Sequence, residues 1–262
     1  KRSPHSQRIY FIAPSNWLCT QTRERVKMNK PAPIALAVDT NDLDIAKQWV
    51  SATDGVISVV KLGLEFYTTF GNDGIRAIAD SCSTDIFLDL KLHDIPHTVA
   101  GAARAVSTLR PKFLTVHAAG GSAMVQAAVD AMPATHITGV TILTSLSEKD
   151  VTDIGFRSHA LDSAVGLAKV AVAGGARAIV CSPLEILAIR ENLGDDITII
   201  TPGVRPSDSA GGDDQARTMT PREAIDRGAS FVVIGRPITQ SFANGAQAMR
   251  ERAIELAEQI LN

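Results

Sequence analysis

The segment 86-IFLDLKLHDIPHTV-99 opens as an apolar run and carries Asp89 and Lys91, two residues apart, near its end. An apolar run without alternation suits a strand buried on both faces, as in a parallel sheet. Charged side chains do not normally sit in the middle of such a strand. Asp89 and Lys91, at i and i+2, point to the same side of it. Pro96 cannot continue a hydrogen-bond ladder, so the strand ends before it. The segment therefore reads as a buried strand with a charged end, followed by the start of a helix.

The same pattern recurs along the chain. Besides this segment, β-branched runs stand at 34-IALAV-38, 56-VISVVKLG-63, 113-FLTVHA-118, 137-ITGVTILT-144, 178-AIVCS-182, 197-ITIITPG-203 and 231-FVVIG-235. Between them apolar residues fall at helical spacing: Leu43, Ala46, Trp49 and Val50; Val99, Ala102, Ala103 and Val106; Leu184, Leu187 and Ile189. Thr220 and Glu223 form a capping-box pattern, and 245-GAQAMRERAIELAEQILN-262 reads as a closing amphipathic helix. Eight strand–helix units in one domain-sized chain predict an α/β fold, a single-domain (β/α)8 TIM barrel over residues 28–262. An open, doubly wound sheet is the alternative that strand counting leaves open.

In a barrel the C-terminal ends of the strands face the active site. Asp39 ends the first run, Lys61 sits late in the second, and Asp89 and Lys91 end the third. Each alone has an ordinary reading, as a snorkelling lysine or a helix-capping aspartate; four converging on one mouth point to a site. Asp94 lies past the strand end, where helix capping is the competing reading. Flanking carboxylates keep Lys91 protonated. That makes it a poor base and a poor Schiff-base nucleophile, but a good proton donor to developing negative charge. Asp89 beside an anionic substrate group would repel it. Neither role requires a metal or an organic cofactor.

The loops after strands seven and eight of such barrels commonly hold phosphate. Here they carry 235-GRPIT-239, in which Gly235 permits close backbone approach and Arg236 offers a fork of donors to phosphate oxygens. The long connection 204-VRPSDSAGGDDQART-218 places Arg205 and Gln215 in or beside a candidate lid.

Composition narrows the function further. The chain has 262 residues, 45% of them hydrophobic, and a net charge of −2. Residues 1–27 hold six basic residues and one acid, whereas the rest holds 20 basic and 27 acidic residues. An acidic body argues against nucleic acid as a partner. The basic leader reads as an over-long start ahead of Met28, as a disordered extension, or as a transit peptide. No apolar run approaches the roughly 18 residues of a membrane span. Cys19, Cys82 and Cys181 form neither a zinc pattern nor a disulfide framework, which suits reduced thiols in a cytoplasmic protein.

The pattern 89-DLKLHDIPHT-98 resembles the D-x-K-x-x-D-I-P-x-T signature of the orotidine 5′-phosphate decarboxylase family. The resemblance extends from about Pro33 to the C-terminus through 36-LAVD-39, 61-KLG-63, 141-TILTS-145, 201-TPGVR-205 and 235-GRPI-238. It implies conversion of orotidine 5′-monophosphate to UMP and CO2, the last step of de novo pyrimidine nucleotide synthesis. It also implies that no cofactor is used and that the enzyme is a homodimer with shared active sites. By resemblance, Asp39 and Lys61 contact the ribose hydroxyls, Asp89 lies near the scissile carboxylate, and Lys91 stabilises and protonates the C6 carbanion. Asp94, Ile95 and Thr98 would reach the partner subunit's site. Thr144 and Ser145 would contact the pyrimidine, and Pro202, Arg205, Gln215, Gly235 and Arg236 would complete substrate binding. Two rivals stand beside this reading. One is a Mg²⁺-dependent sugar-phosphate decarboxylase of the same superfamily, which Lys61 opposes because an acid is expected at that position. The other is a non-catalytic nucleotide-binding barrel, which has no use for the full Asp89, Lys91 and Asp94 set.

Overall fold

The computed structural model describes residues 30–206 and 219–262. The leader, Met28 and Gln215 lie outside the described residues. Eight parallel strands close into a barrel in sequence order: β1 (Ala32–Ala37), β2 (Ile57–Leu62), β3 (Asp85–Leu92), β4 (Phe113–His117), β5 (His136–Val140), β6 (Ala178–Val180), β7 (Thr198–Thr201) and β8 (Phe231–Ile234). Closure of β8 onto β1, with Ile34 opposite Val232 and Leu36 opposite Ile234, rules out the open sheet.

Alternation along the strands decides which residues meet inside. Ala35, Val59, Phe87, Phe113, Ala178 and Ile200 are buried together with Phe231 and Val233 beside them. Three of the rings meet edge-on, Phe87 with Phe113 at 5.7 Å and Phe113 with Phe231 at 5.8 Å between centroids. Neighbours of opposite parity, such as Val60, Leu62, Ile86 and Leu88, belong to the outer core beneath the helices. Two residues after Val59 and Phe87 on the same faces come Lys61 and Asp89. The apolar layer is thus the floor of a charged mouth.

The first four helices are α1 (Leu43–Thr53), α2 (Leu64–Ala79), α3 (Pro96–Val106) and α4 (Ser122–Ala131). They are followed by α5 (Glu148–Ile154), α6 (Ala160–Ala173), α7 (Ile186–Leu193), α8 (Pro221–Asp226), α9 (Arg236–Thr239) and α10 (Ala246–Leu261). Asp42 caps α1 by accepting the amides of Asp44 and Ile45. The capping box at Thr220 and Glu223 opens α8 as expected. The closing helix α10 buries Met249, Ala253, Leu256, Ala257 and Ile260.

One apolar stripe is corrected. Leu184 and Leu187 are half-exposed, and the buried face of α7 is Ile186 with Ile189. A 3-10 turn at Pro183–Glu185 precedes α7. Leu184 therefore lies before the helix and cannot share its period. Strand ends also fall earlier than the apolar runs: β5 stops at Val140, whereas Ile142 and Leu143 belong to the loop beyond it.

Candidate active site

The network begins where β1, β2 and β3 end. Lys61 Nζ lies 3.5 Å from Asp39 Oδ1 and 3.4 Å from Asp89 Oδ2. Lys91 Nζ donates to both Asp89 oxygens, at 2.8 and 2.9 Å. Charge therefore alternates along Asp39, Lys61, Asp89 and Lys91, and Asp89, buried, carries two ammonium partners. Gly63 sits against the outer pair: a Cβ there would stand 3.3 Å from both Asp39 Oδ1 and Lys61 Nζ. A larger residue would push into the ion pair.

Burial alone would depress the Lys61 pKa, but Asp89 and Asp39 outweigh it and hold the group above its ordinary value. Burial would likewise raise the Asp89 pKa, and Lys61, Lys91 and the Thr115 hydroxyl overcome it, so the carboxyl lies below its ordinary value. A depressed carboxyl stabilises the fold above its unfolded pKa, about 3.9, and that contribution is lost as pH falls through the folded value. Urea unfolding should accordingly show wild type more stable than Asp89→Asn at pH 7, with the gap closing below about pH 4. A gap independent of pH would mean that the Asp89 charge is not what stabilises.

The backbone at Lys91 is unusual. Its φ of +48° is left-handed, which a non-glycine residue adopts only under constraint. Pairing between β3 and β4 matches Leu88 with Leu114 and then Leu92 with Val116. The three residues Asp89, Leu90 and Lys91 thus bulge opposite the one residue Thr115. Bulges of this kind re-aim side chains next to sites. Thr115 Oγ1 accepts the Lys91 amide at 2.7 Å and donates to Asp89 Oδ1 at 3.0 Å. Sequence reasoning missed Thr115, because a lone threonine in a β-branched strand is unremarkable; its place opposite the charged strand end is the only cue.

The four charged residues line one cavity of about 350 Å³. Phe87 forms part of its floor, and Val140, Ile142, Leu143 and Val180 supply apolar wall. Thr144, Ser145, Pro202, Arg205, Gly235 and Arg236 line the same space. Arg205 is placed by the ends of the long connection, which are tied together: Val204 bridges Met219, and the Arg205 amide donates to the Met219 carbonyl at 2.8 Å. Arg236 opens α9 directly after Gly235. The cavity thus joins an alternating charged array at β1–β3 to two guanidinium groups at the β7 and β8 loops, across apolar wall. Such a shape suits a ligand with an anionic group, a flat apolar middle and a phosphate.

Asp94, Ile95 and Thr98 stand apart. All three are exposed and none lines this cavity. The capping reading of Asp94 is not met: the N-cap of α3 is Ile95, with no side-chain cap, and Asp94 Oδ1 accepts only the neighbouring Ile95 amide, at 2.6 Å. Among the described residues no group of three or more His, Cys, Asp or Glu side chains could hold a metal ion.

Closed barrel, charged strand ends and a two-arginine rim define a (β/α)8-barrel enzyme. The sequence model of the "Orotidine 5′-phosphate decarboxylase / HUMPS family" matches residues 32–251, and the chain belongs to that family. A protein of Thermobifida fusca named orotidine 5′-phosphate decarboxylase is 52% identical over 217 residues, covering 83% of this chain and 93% of that one. One of the same name from Gluconobacter oxydans is 40% identical and covers 88% and 99%. The crystal structure of orotidine 5′-phosphate decarboxylase from Lactobacillus acidophilus is 34% identical with a TM-score of 0.74, covering 88% of this chain and all of that one. A Methanocaldococcus jannaschii structure, described as complexed with the inhibitor BMP, shares the fold at 22% identity and a TM-score of 0.71.

Proposed function

We propose that this chain decarboxylates orotidine 5′-monophosphate to UMP and CO2, the closing step of pyrimidine nucleotide synthesis. The observation that carries the reading is the Asp39–Lys61–Asp89–Lys91 array sharing one cavity with Arg205 and Arg236. The names of the 52% and 40% identical relatives support it. In the reaction the bond from C6 to the carboxylate breaks, CO2 departs, and the electron pair stays on C6. Lys91 then gives C6 a proton and regains one from solvent. A fixed ammonium beside C6 stabilises the carbanion more than the ground state, and that difference is what accelerates the step. Asp89 holds the ammonium in place through two bonds, at 2.8 and 2.9 Å. Asp39 and Lys61 are assigned the ribose hydroxyls, Thr144, Ser145 and Pro202 the base, and Arg205, Gly235 and Arg236 the phosphate.

The test is UMP release from orotidine 5′-monophosphate in the presence of EDTA. Release with chelator present is expected, and neither rival gives it; no release, with or without Mg²⁺, would overturn the reading.

Arg236 is exposed at the rim of the cavity, and Arg236→Ala should weaken binding of the nucleotide by about 1.5–3 kcal/mol, the range for hydrogen bonds to charged groups. The phosphate-free nucleoside orotidine should suffer far less. Equal losses for both would remove Arg236 from the phosphate site.

We also read the chain as a cytoplasmic homodimer that shares its sites. Cys82 and Cys181 are free thiols, and among the described residues no helix is long and apolar enough to cross a membrane. Asp94, the 65% exposed Ile95, and Thr98 form a surface past the β3 end, outside their own cavity, where a second copy can take them up.

A further inference from the structure

We propose that Thr115 is a positioning residue for the decarboxylation, its single hydroxyl fixing both the Asp89 carboxylate and the left-handed backbone that presents Lys91. The inference rests on the functional reading above and adds a residue to it. Thr115 is fully buried on β4, and its side chain lies opposite the three-residue bulge Asp89–Lys91.

A hydroxyl has one proton and two acceptor lone pairs. Thr115 uses its proton on Asp89 Oδ1 at 3.0 Å and a lone pair on the Lys91 amide at 2.7 Å. The second bond stands where the β3–β4 ladder is interrupted, so it takes the place of a backbone partner the bulge has removed. Without it the Lys91 amide loses its acceptor at a residue whose φ of +48° needs support. The first bond has a separate effect. Asp89 already receives Lys91 Nζ on both oxygens and Lys61 Nζ near Oδ2. The Thr115 proton adds a neutral donor that fixes the rotation of the carboxylate about Cγ and favours its ionised form. One atom thereby couples the direction of the carboxylate to the direction of the ammonium it steers. Thr115 lies outside the residues lining the cavity, so it acts through Asp89 and Lys91 and not on substrate.

Thr115→Val keeps the branched shape and removes both bonds, whereas Thr115→Ser keeps both. With orotidine 5′-monophosphate, Thr115→Val should lower kcat about 10- to 100-fold, the loss typical when a group that orients a directly acting one is removed. KM should change less than about threefold, since the phosphate and base contacts are untouched. Thr115→Ser should stay within about threefold of wild type. The Asp89 carboxyl, followed by carbon-detected NMR titration, should move to higher pKa in the Val variant and not in the Ser variant. If Val does not fold, Thr115→Ala takes its place in every measurement. A Val or Ala variant with wild-type kcat and an unmoved Asp89 titration would overturn the proposal, as would a Ser variant as slow as Val. Wild-type protein without activity on orotidine 5′-monophosphate would instead break the functional reading, and the NMR titration would still decide whether Thr115 holds Asp89.

Discussion

Lys91→Ala should lower the kcat of decarboxylation by at least about 10³-fold while UMP binding changes less than about threefold. Two separate losses combine. A preorganised charge aimed at developing negative charge is typically worth about 10²–10³ in rate, and a positioned proton donor contributes about 10²–10⁴. Both reside in one ammonium, which Asp89 holds through two bonds of 2.8 and 2.9 Å. Asp89 keeps Lys61 and Thr115 in the variant, so the network loses its end and not its centre. Its carboxyl should titrate higher than in wild type, because one of the two cations that depress it is gone. On the proposed assignment, UMP binding draws on Arg205 and Arg236, which line the other side of the cavity. Single-turnover kinetics and UMP titration separate the two effects. A variant that decarboxylates normally but no longer binds UMP would reverse the assigned roles.

Mixing Asp94→Asn and Lys91→Ala chains should restore activity that neither homodimer has. If Asp94 serves the neighbouring barrel, each heterodimer holds one site with Lys91 from the first chain and Asp94 from the second. That site is wild type in both residues, and the other carries both defects. Random exchange makes about half of the dimers mixed, so activity should return to about a quarter of wild type per subunit. The structural motive is the position of Asp94, exposed past the β3 end and absent from the lining of its own cavity. Exchange would be followed by native mass spectrometry. Mixed dimers without activity would confine Asp94 to its own chain.

What was legible in the sequence follows the physics of each feature. Eight parallel strands buried on both faces leave apolar runs with no alternation, and those are easy to see. Their ends are not. The run at 137–144 continues two apolar residues past β5 because Ile142 and Leu143 leave the strand yet still face the cavity. The charged array was readable because Asp and Lys inside apolar runs are costly unless paired. Leu184 and Leu187 misled because a 3-10 turn breaks the helical period that links them to Ile189. The left-handed φ at Lys91 left no trace, since no glycine marks it. Thr115 was hidden for a related reason: its importance comes from a register slip between two strands, which no single strand's sequence encodes.

The interlocked phenyl rings under Asp89 act as an insulator. Phe87, Phe113 and Phe231, with Ala35, Val59 and Ile200, present no polar side chain to the network from below. Among the described residues this layer closes the floor, and the cavity has its opening at the strand ends. On the proposed chemistry, nucleotide, CO2 and the replacement proton for Lys91 all share it. On the same proposed chemistry, a bound product that covers this opening also delays recharging of the amine, which would order the cycle as nucleotide departure, water entry and restoration of the ammonium.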